Sequence, residues 1–171
     1  MRLILPQKGV GMVEVLVALL ILALGVLGYI AVQLRAMDAS AEALSKSQAM
    51  LIMRGLAENI RSNPAGVSEY PSLVQGYSNY SSSTSLPKSC LNSVCTPTEM
   101  ATYDAYNAAK NANQYGMKIT MGNCPGVTNT MTLKRQCLYT FWGKTSPGIS
   151  NCMTDSGTYV SGSTCLMMEV Y

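Results

Sequence analysis

Six cysteines, one isolated carboxylate and a missing residue type frame the chemistry open to this chain of 171 residues. Cys90, Cys95, Cys124, Cys137, Cys152 and Cys165 all fall in the C-terminal half, among Gly, Ser, Asn and Thr. Such usage points to an oxidising compartment and a disulfide framework. Zinc sites usually present two closely spaced cysteine pairs. Only Cys90 and Cys95 come near that spacing, so a metal is the poorer account. Six cysteines allow many connectivities, and spacing does not choose among them. The local set is attractive nonetheless: Cys90–Cys95 closes a short loop, while Cys124–Cys137 and Cys152–Cys165 each enclose a Gly/Asn/Thr-rich excursion. Each such link would contribute about 2–4 kcal/mol to a small domain.

There is no histidine, so the commonest general base, proton shuttle and metal ligand is missing. No nucleophile–base pair, phosphate loop or metal constellation stands out either. The expectation is a protein that is not an enzyme and carries no cofactor. The formal charge is +3, and Arg2 and Lys8 supply two of it, so the chain from residue 10 onward carries only +1. Bulk charge therefore does not mark a nucleic-acid-binding surface.

The carboxylate is Glu14, at the head of VLVALLILALGVLGYIAV, eighteen residues (15–32) without a charge. A run of that length reads as a membrane-spanning helix. Arg2 and Lys8 before it place the N-terminus in the cytoplasm and the rest outside. An acid near the start of such a span is costly, roughly 2.5–3.5 kcal/mol at the bilayer centre and less near the interface. Cleavage between Gly9 and Val10 would create an α-amino group four residues before Glu14, and that cation could meet the carboxylate of a neighbouring molecule. The plainer alternative is a Glu14 solvated at headgroup depth. A conventional signal peptide is a further alternative, since Ala39-Ser40-Ala41 imitates its cleavage site.

Residues 8–20, KGVGMVEVLVALL, resemble the type IV prepilin signature: a Gly, an apolar residue, Glu at the fifth position after the cut, then an uninterrupted apolar helix. The resemblance implies that a prepilin peptidase cuts after Gly9 and methylates the amine of Val10, and that Glu14 docks subunits. Val10 stands where the family usually has Phe, and Ala31 lies near where major pilins carry a helix-kinking proline. Beyond the signature, the chain looks like a PilV-type minor pilin. The features are Gly25 and Gly28 late in the apolar helix, Arg61-Ser62-Asn63-Pro64 after it, and Cys95-Thr96-Pro97 before a second helix.

The elements that position these residues follow from periodicity. After the apolar span, Ala41, Leu44, Ile52, Leu56 and Ile60 fall near one helical face, while Glu42, Lys46, Arg54, Glu58 and Arg61 occupy others. One helix is expected from near Val10 to Ile60, stopped at Asn63-Pro64, and at 1.5 Å per residue it would be roughly 75 Å long. Met50 and Met53 read as core filler, and the small residues Gly11, Ala18, Ala23, Gly25, Gly28 and Ala31 suit packing against other anchors.

Residues 65–95 read as a Ser/Tyr/Asn-rich loop around Tyr77, Tyr80 and the run at 81–85, a surface excursion more than a contact surface. Thr96-Pro97-Thr98-Glu99 reads as a capped helix start, with the helix running to about Asn113 and Gly116 as its stop. Strands are expected at 117–121, from Met131 to Trp142, and from Cys165 to Tyr171.

The fold expected is α+β: a long N-terminal helix packed on a small antiparallel sheet, in a disulfide-stapled pilin head. Residues 1–9 form the leader, 10–34 the transmembrane and filament-core helix, and 35–171 the head. The function implied is a minor pilin that aids pilus initiation or a tip complex. Its partners would be other minor pilins, the major pilin, the prepilin peptidase, the inner membrane before assembly, and a tip adhesin. A type II secretion pseudopilin would share the signature, although Glu69, Glu99, Asp104, Asp155 and Glu169 are too dispersed for the calcium cluster often found in such heads. A membrane-anchored adhesin or DNA-binding module is the alternative of another class, resting on Lys134, Arg135 and Lys144 beside Tyr139, Phe141 and Trp142. Strand alternation splits those residues between faces, so nucleic acid is not an expected partner.

Overall fold

The computed structural model describes residues 9–127 and 134–171. Helix α1 runs Met12–Ser62 without interruption. It ends where expected, because Asn63 precedes Pro64 and the residue before a proline is pushed out of the helical region. A 3-10 helix, Pro64–Glu69, and helix α2, Tyr70–Gly76, follow directly. The loop expected over 65–95 is therefore helical in its first third. Val67, Leu73 and Val74 pack against the core and hold this stretch, and that tertiary packing overrides its polar composition.

Helix α3, Pro97–Gln114, starts on a capping box. The Thr96 side chain accepts from the Glu99 amide at 3.3 Å, and the Thr96 amide donates back to the Glu99 carboxylate at 2.8 Å. Pro97 at the first position loses only a donor that would have been unpaired. The helix closes at Tyr115, and Gly116 carries the chain away at φ 67°, a conformation that costs glycine nothing.

Three strands form one antiparallel sheet, β1 (Lys118–Asn123), β2 (Gln136–Phe141) and β3 (Cys165–Glu169), in the order β1-β2-β3. Met121 faces Leu138 across the first pair, and Leu138 faces Met168 across the second. The strand expected to begin at Met131 begins at Gln136; residues 131–133 lie outside the described part, and Lys134 and Arg135 are not in the ladder. β3 likewise ends at Glu169 rather than Tyr171. A short helix α4, Ile149–Cys152, lies so close to the sheet that a Cβ on Gly122 would come 2.6 Å from Ile149 Cδ1.

The chain divides into two compact units, one ending at Ala43 and the other running Leu44–Tyr171. In the second unit the sheet has apolar material on both faces. Alternation along β1 and β2 sends Ile119, Met121 and Leu138 to a main core with Met53, Leu56 and Ile60 of α1, Tyr70 and Val74 of α2, and the alanines of α3. It sends Cys137, Tyr139 and Phe141 to a smaller cluster with Cys124, Cys152, Cys165 and Met153. Met53 is fully buried and Met50 half-buried, but Ala41 and Leu44, expected on the buried face, are exposed; burial along α1 begins at Ala49.

The bridges are Cys90–Cys95, Cys124–Cys137 and Cys152–Cys165. Two of them sit in the smaller cluster. They tie the turn after β1 to β2 and α4 to β3.

Candidate functional site

The N-terminal segment is simple in geometry. Gly9, Val10 and Gly11 are exposed and precede the helix, and the Gly11 carbonyl accepts from the amides of Glu14 (3.0 Å) and Val15 (3.3 Å), which closes the first turn of α1. Glu14 therefore stands in that first turn, where the helix dipole favours a negative charge. Its side chain is exposed and forms no ion pair among the described residues. The Gly9–Val10 peptide lies just outside the helix and is exposed.

Behind Glu14 the helix is apolar all round. It contains an eighteen-residue window of mean hydropathy 2.9 with nothing buried, long and apolar enough to cross a membrane. Leu16, Leu19, Leu20 and Leu24 are each more than half exposed. Among the described residues nothing covers them, so the surface is of the kind that lipid or other helices must cover.

The second unit holds the other residues singled out above, and it does not bring them together. Tyr139 and Phe141 are buried in the smaller cluster and Trp142 in the main core, so none offers a ring face on which a base could stack. Arg135 is paired with Glu169 at 3.1 Å. Tyr139 instead donates its hydroxyl to the Asn123 carbonyl at 2.9 Å, and burial pushes its pKa up to about 12. Tyr77 and Tyr80 are half-buried and meet Tyr106 edge-on, with ring centres 5.7 and 5.4 Å away. They are structural, not an exposed contact surface.

Three features were not anticipated. Asp104 of α3 accepts from Tyr70 at 2.7 Å and from Asn59 at 3.3 Å, and Asn63 reaches both Tyr70 (3.3 Å) and the Pro97 carbonyl (2.8 Å). This network fastens the end of α1 to α2 and the start of α3. Burial raises the Asp104 carboxyl above its ordinary range, and burial and Asp104 raise the Tyr70 hydroxyl. A groove of about 470 Å³ runs between α1 and α3, with Gly55 on its floor. Finally, Leu86, Leu91 and Val94 are largely exposed beside the Cys90–Cys95 bridge. The last has a signal in the sequence, since Leu91 and Val94 stand inside a tight cysteine loop; the other two depend on which helices meet.

Residues 5–30 match the family model for the prokaryotic N-terminal methylation motif, and residues 31–106 match the model described as Type IV pilin Tt1218. Over these residues the chain is similar to type IV pilins. The first match spans Gly9, Val10 and Glu14, and the second carries on through the rest of α1 to the middle of α3. Neither reaches the sheet of this pilin-like chain or its two buried bridges. No curated protein and no solved structure matches it. Type IV pilins are structural proteins, and the motif implies processing by a prepilin peptidase and assembly with other pilins. The apolar start of α1 and that motif are consistent with membrane anchoring followed by incorporation into a pilus.

Proposed function

We propose that this chain is a PilV-type minor pilin that aids the initiation of pilus assembly or the formation of a tip complex. Prepilin peptidase cuts between Gly9 and Val10, removing residues 1–9, and methylates the new amine of Val10. Residues 10–34 anchor the protein in the inner membrane and later lie in the filament core. Residues 35–171, stapled by Cys90–Cys95, Cys124–Cys137 and Cys152–Cys165, form a head that waits in the periplasm and is then carried outside. Its neighbours are other minor pilins and the major pilin.

The observation that carries this reading is Glu14 in the first turn of an apolar helix with nothing buried around it, a few residues after the exposed Gly9–Val10 bond. In hydrocarbon that carboxylate costs several kcal/mol without a partner. The Val10 amine created by processing supplies a cation, and a helix displaced along its axis brings the amine of one subunit to the carboxylate of the next.

Two variants test it. Gly9→Leu should retain the leader, read as an unshortened mass in membrane extracts. Glu14→Ala should be cut and methylated normally yet fall by about tenfold or more in sheared filaments, as loss of a buried charge partner predicts. Normal processing of the first and normal incorporation of the second would sink the assignment. Lost protein secretion with intact pili in both strains would move the chain to a secretion pseudopilus.

A further inference from the structure

Gly55 has no explanation within its own chain. It sits in the interior of α1, where glycine is about 1 kcal/mol less favourable than alanine, yet a Cβ added there would meet nothing within 4 Å. The space above it is the groove of about 470 Å³ between α1 and α3. That size falls among small-ligand sites, which run from roughly 300 to 1,000 Å³.

Two facing rows line the groove: Gln48, Ile52, Gly55 and Asn59 on α1, and Asp104, Asn107, Asn111 and Gln114 on α3. Residues in each row are three or four apart, which places them on one face of their helix. The two helices run antiparallel, since Asn59 meets Asp104 at 3.3 Å while Asn63 meets the Pro97 carbonyl at 2.8 Å. Gln48 and Tyr115 therefore lie at one end and Asn59 and Asp104 at the other. The Asn59–Asp104 end is engaged, because Asp104 accepts from both Asn59 and Tyr70. The rest is not. Among the described residues no hydrogen bond occupies the side chains of Gln48, Asn107, Asn111 or Gln114. Beside these amides stand Leu51, 68% exposed, Ile52, and the ring of Tyr115, 54% exposed.

This mixture selects a ligand chemistry. An amide side chain both donates and accepts, so unengaged amides suit a ligand whose polar groups also do both. No Lys or Arg lines the groove, and Asp104 adds negative charge at one end; phosphates or other anions would find no cation there. The recurring ways of holding a peptide do not fit either. All the lining residues come from α1, α3 and the turn after α3, so no strand edge is offered to an extended segment, and one tyrosine is not the aromatic slot that a polyproline segment needs. The apolar face of a docked helix would leave four amides unpartnered, at the cost of their desolvation. A neutral polyhydroxylated ligand meets every requirement: its hydroxyls pair with the amides in either sense, and its C–H faces lie against Leu51, Ile52 and Tyr115.

We propose that the α1–α3 groove of the head binds a neutral oligosaccharide, with Gln48, Asn107, Asn111 and Gln114 on its hydroxyls, Leu51 and Tyr115 against its ring faces, and Gly55 left bare to admit a ring. The site lies wholly within the second unit, and the inference does not depend on the pilin reading.

The test titrates maltotriose, chitotriose and mannotriose, each to millimolar concentration, into the isotope-labelled full-length chain in a detergent without sugar groups. At least one of them should produce a saturable shift of the side-chain amide signals of Asn107, Asn111 and Gln114 in the nuclear magnetic resonance spectrum. Gly55→Phe, whose ring has open space to enter, fills the groove and should weaken that binding by about tenfold or more. The double variant Asn107→Ala with Asn111→Ala removes two hydrogen-bonding groups and should weaken it by about tenfold; alanine is the better helix former, so the thermal midpoint should not fall. Sulfated maltotriose and a blocked, uncharged tripeptide serve as competitors of other chemistry. No shift with any of the neutral sugars, shifts confined to other residues, an affinity unchanged by Gly55→Phe, or tighter binding of either competitor overturns the proposal.

Discussion

From Met12 to Ala43, helix α1 buries no side chain, although this is its most apolar stretch; from Ala49 onward it buries Ala49, Met53, Leu56, Ala57 and Ile60, although this stretch is studded with charges. Composition alone would rank the two the other way round. The second stretch carries polar residues on its outer faces because it meets its own chain along one stripe only, and the first is apolar all round from Val15 to Val32 because whatever covers it there must do so on every side. One continuous helix thus belongs to two solvents. The second unit needs no partner to hide its core, whereas the first is finished only by lipid or by other helices.

The sharpest way to break this comparison is to cut the same kind of side chain in each stretch. Met53→Ala opens a cavity in a fully buried site and should destabilise the head by about 2–5 kcal/mol. Leu19→Ala, at a residue 56% exposed, should change head stability by less than about 0.5 kcal/mol. Trp142, the single tryptophan, is buried in the second unit and reports its unfolding, so thermal melts of the detergent-extracted chain followed by tryptophan fluorescence read both variants. Equal shifts would mean that the first stretch is coupled to the core after all.

A second substitution probes how locally the head is specified. Thr96, Pro97 and Glu99 are enough to start α3 because a capping box is satisfied within four residues, and its start was accordingly legible from sequence. The end of α1 at Asn63-Pro64 was legible for the same reason, as was the apolar span, whose length has only one economical reading. The helical run from Pro64 to Gly76 was not legible, because its polar residues favour a loop and only packing on Val67, Leu73 and Val74 decides otherwise. The groove at Gly55 and the Asp104 network were hidden too, since they arise between residues 34 or more positions apart. The candidate site divides the same way: Gly9, Val10 and Glu14 lie within one short stretch and are named by its resemblance to the prepilin signature alone, while the head surface is assembled by tertiary contacts. Thr96→Ala should therefore cost about 1 kcal/mol and lower the same fluorescence midpoint by a few degrees. A loss as large as that of Met53→Ala would show that the cap is coupled to the core and is not a local device.

The smallest effect expected lies in the Asp104 network and is read through pH. Burial raises the carboxyl of Asp104 in the folded head, and the Tyr70 hydroxyl that donates to it lowers it by less. A raised folded value means that the folded state holds this proton more tightly than the unfolded chain does. The stability this contributes is present below the unfolded value and is lost as pH rises through the folded one. Glu99 works the other way: the Thr96 amide first, and then Lys88, hold its carboxyl low, so its contribution is present above the unfolded value and fades as pH falls through the folded one. Comparing wild type with Asp104→Asn removes the Glu99 contribution, which both proteins share. The variant keeps an oxygen for Tyr70 but carries no ionisable proton. Between about pH 3 and pH 7, across the ordinary carboxylate range, the midpoint of wild type should fall relative to that of the variant. A difference that stays flat, or that grows in favour of wild type as pH rises, would show that the hydrogen bonds from Tyr70 and Asn59 outweigh burial and that the charge is welcome where it sits.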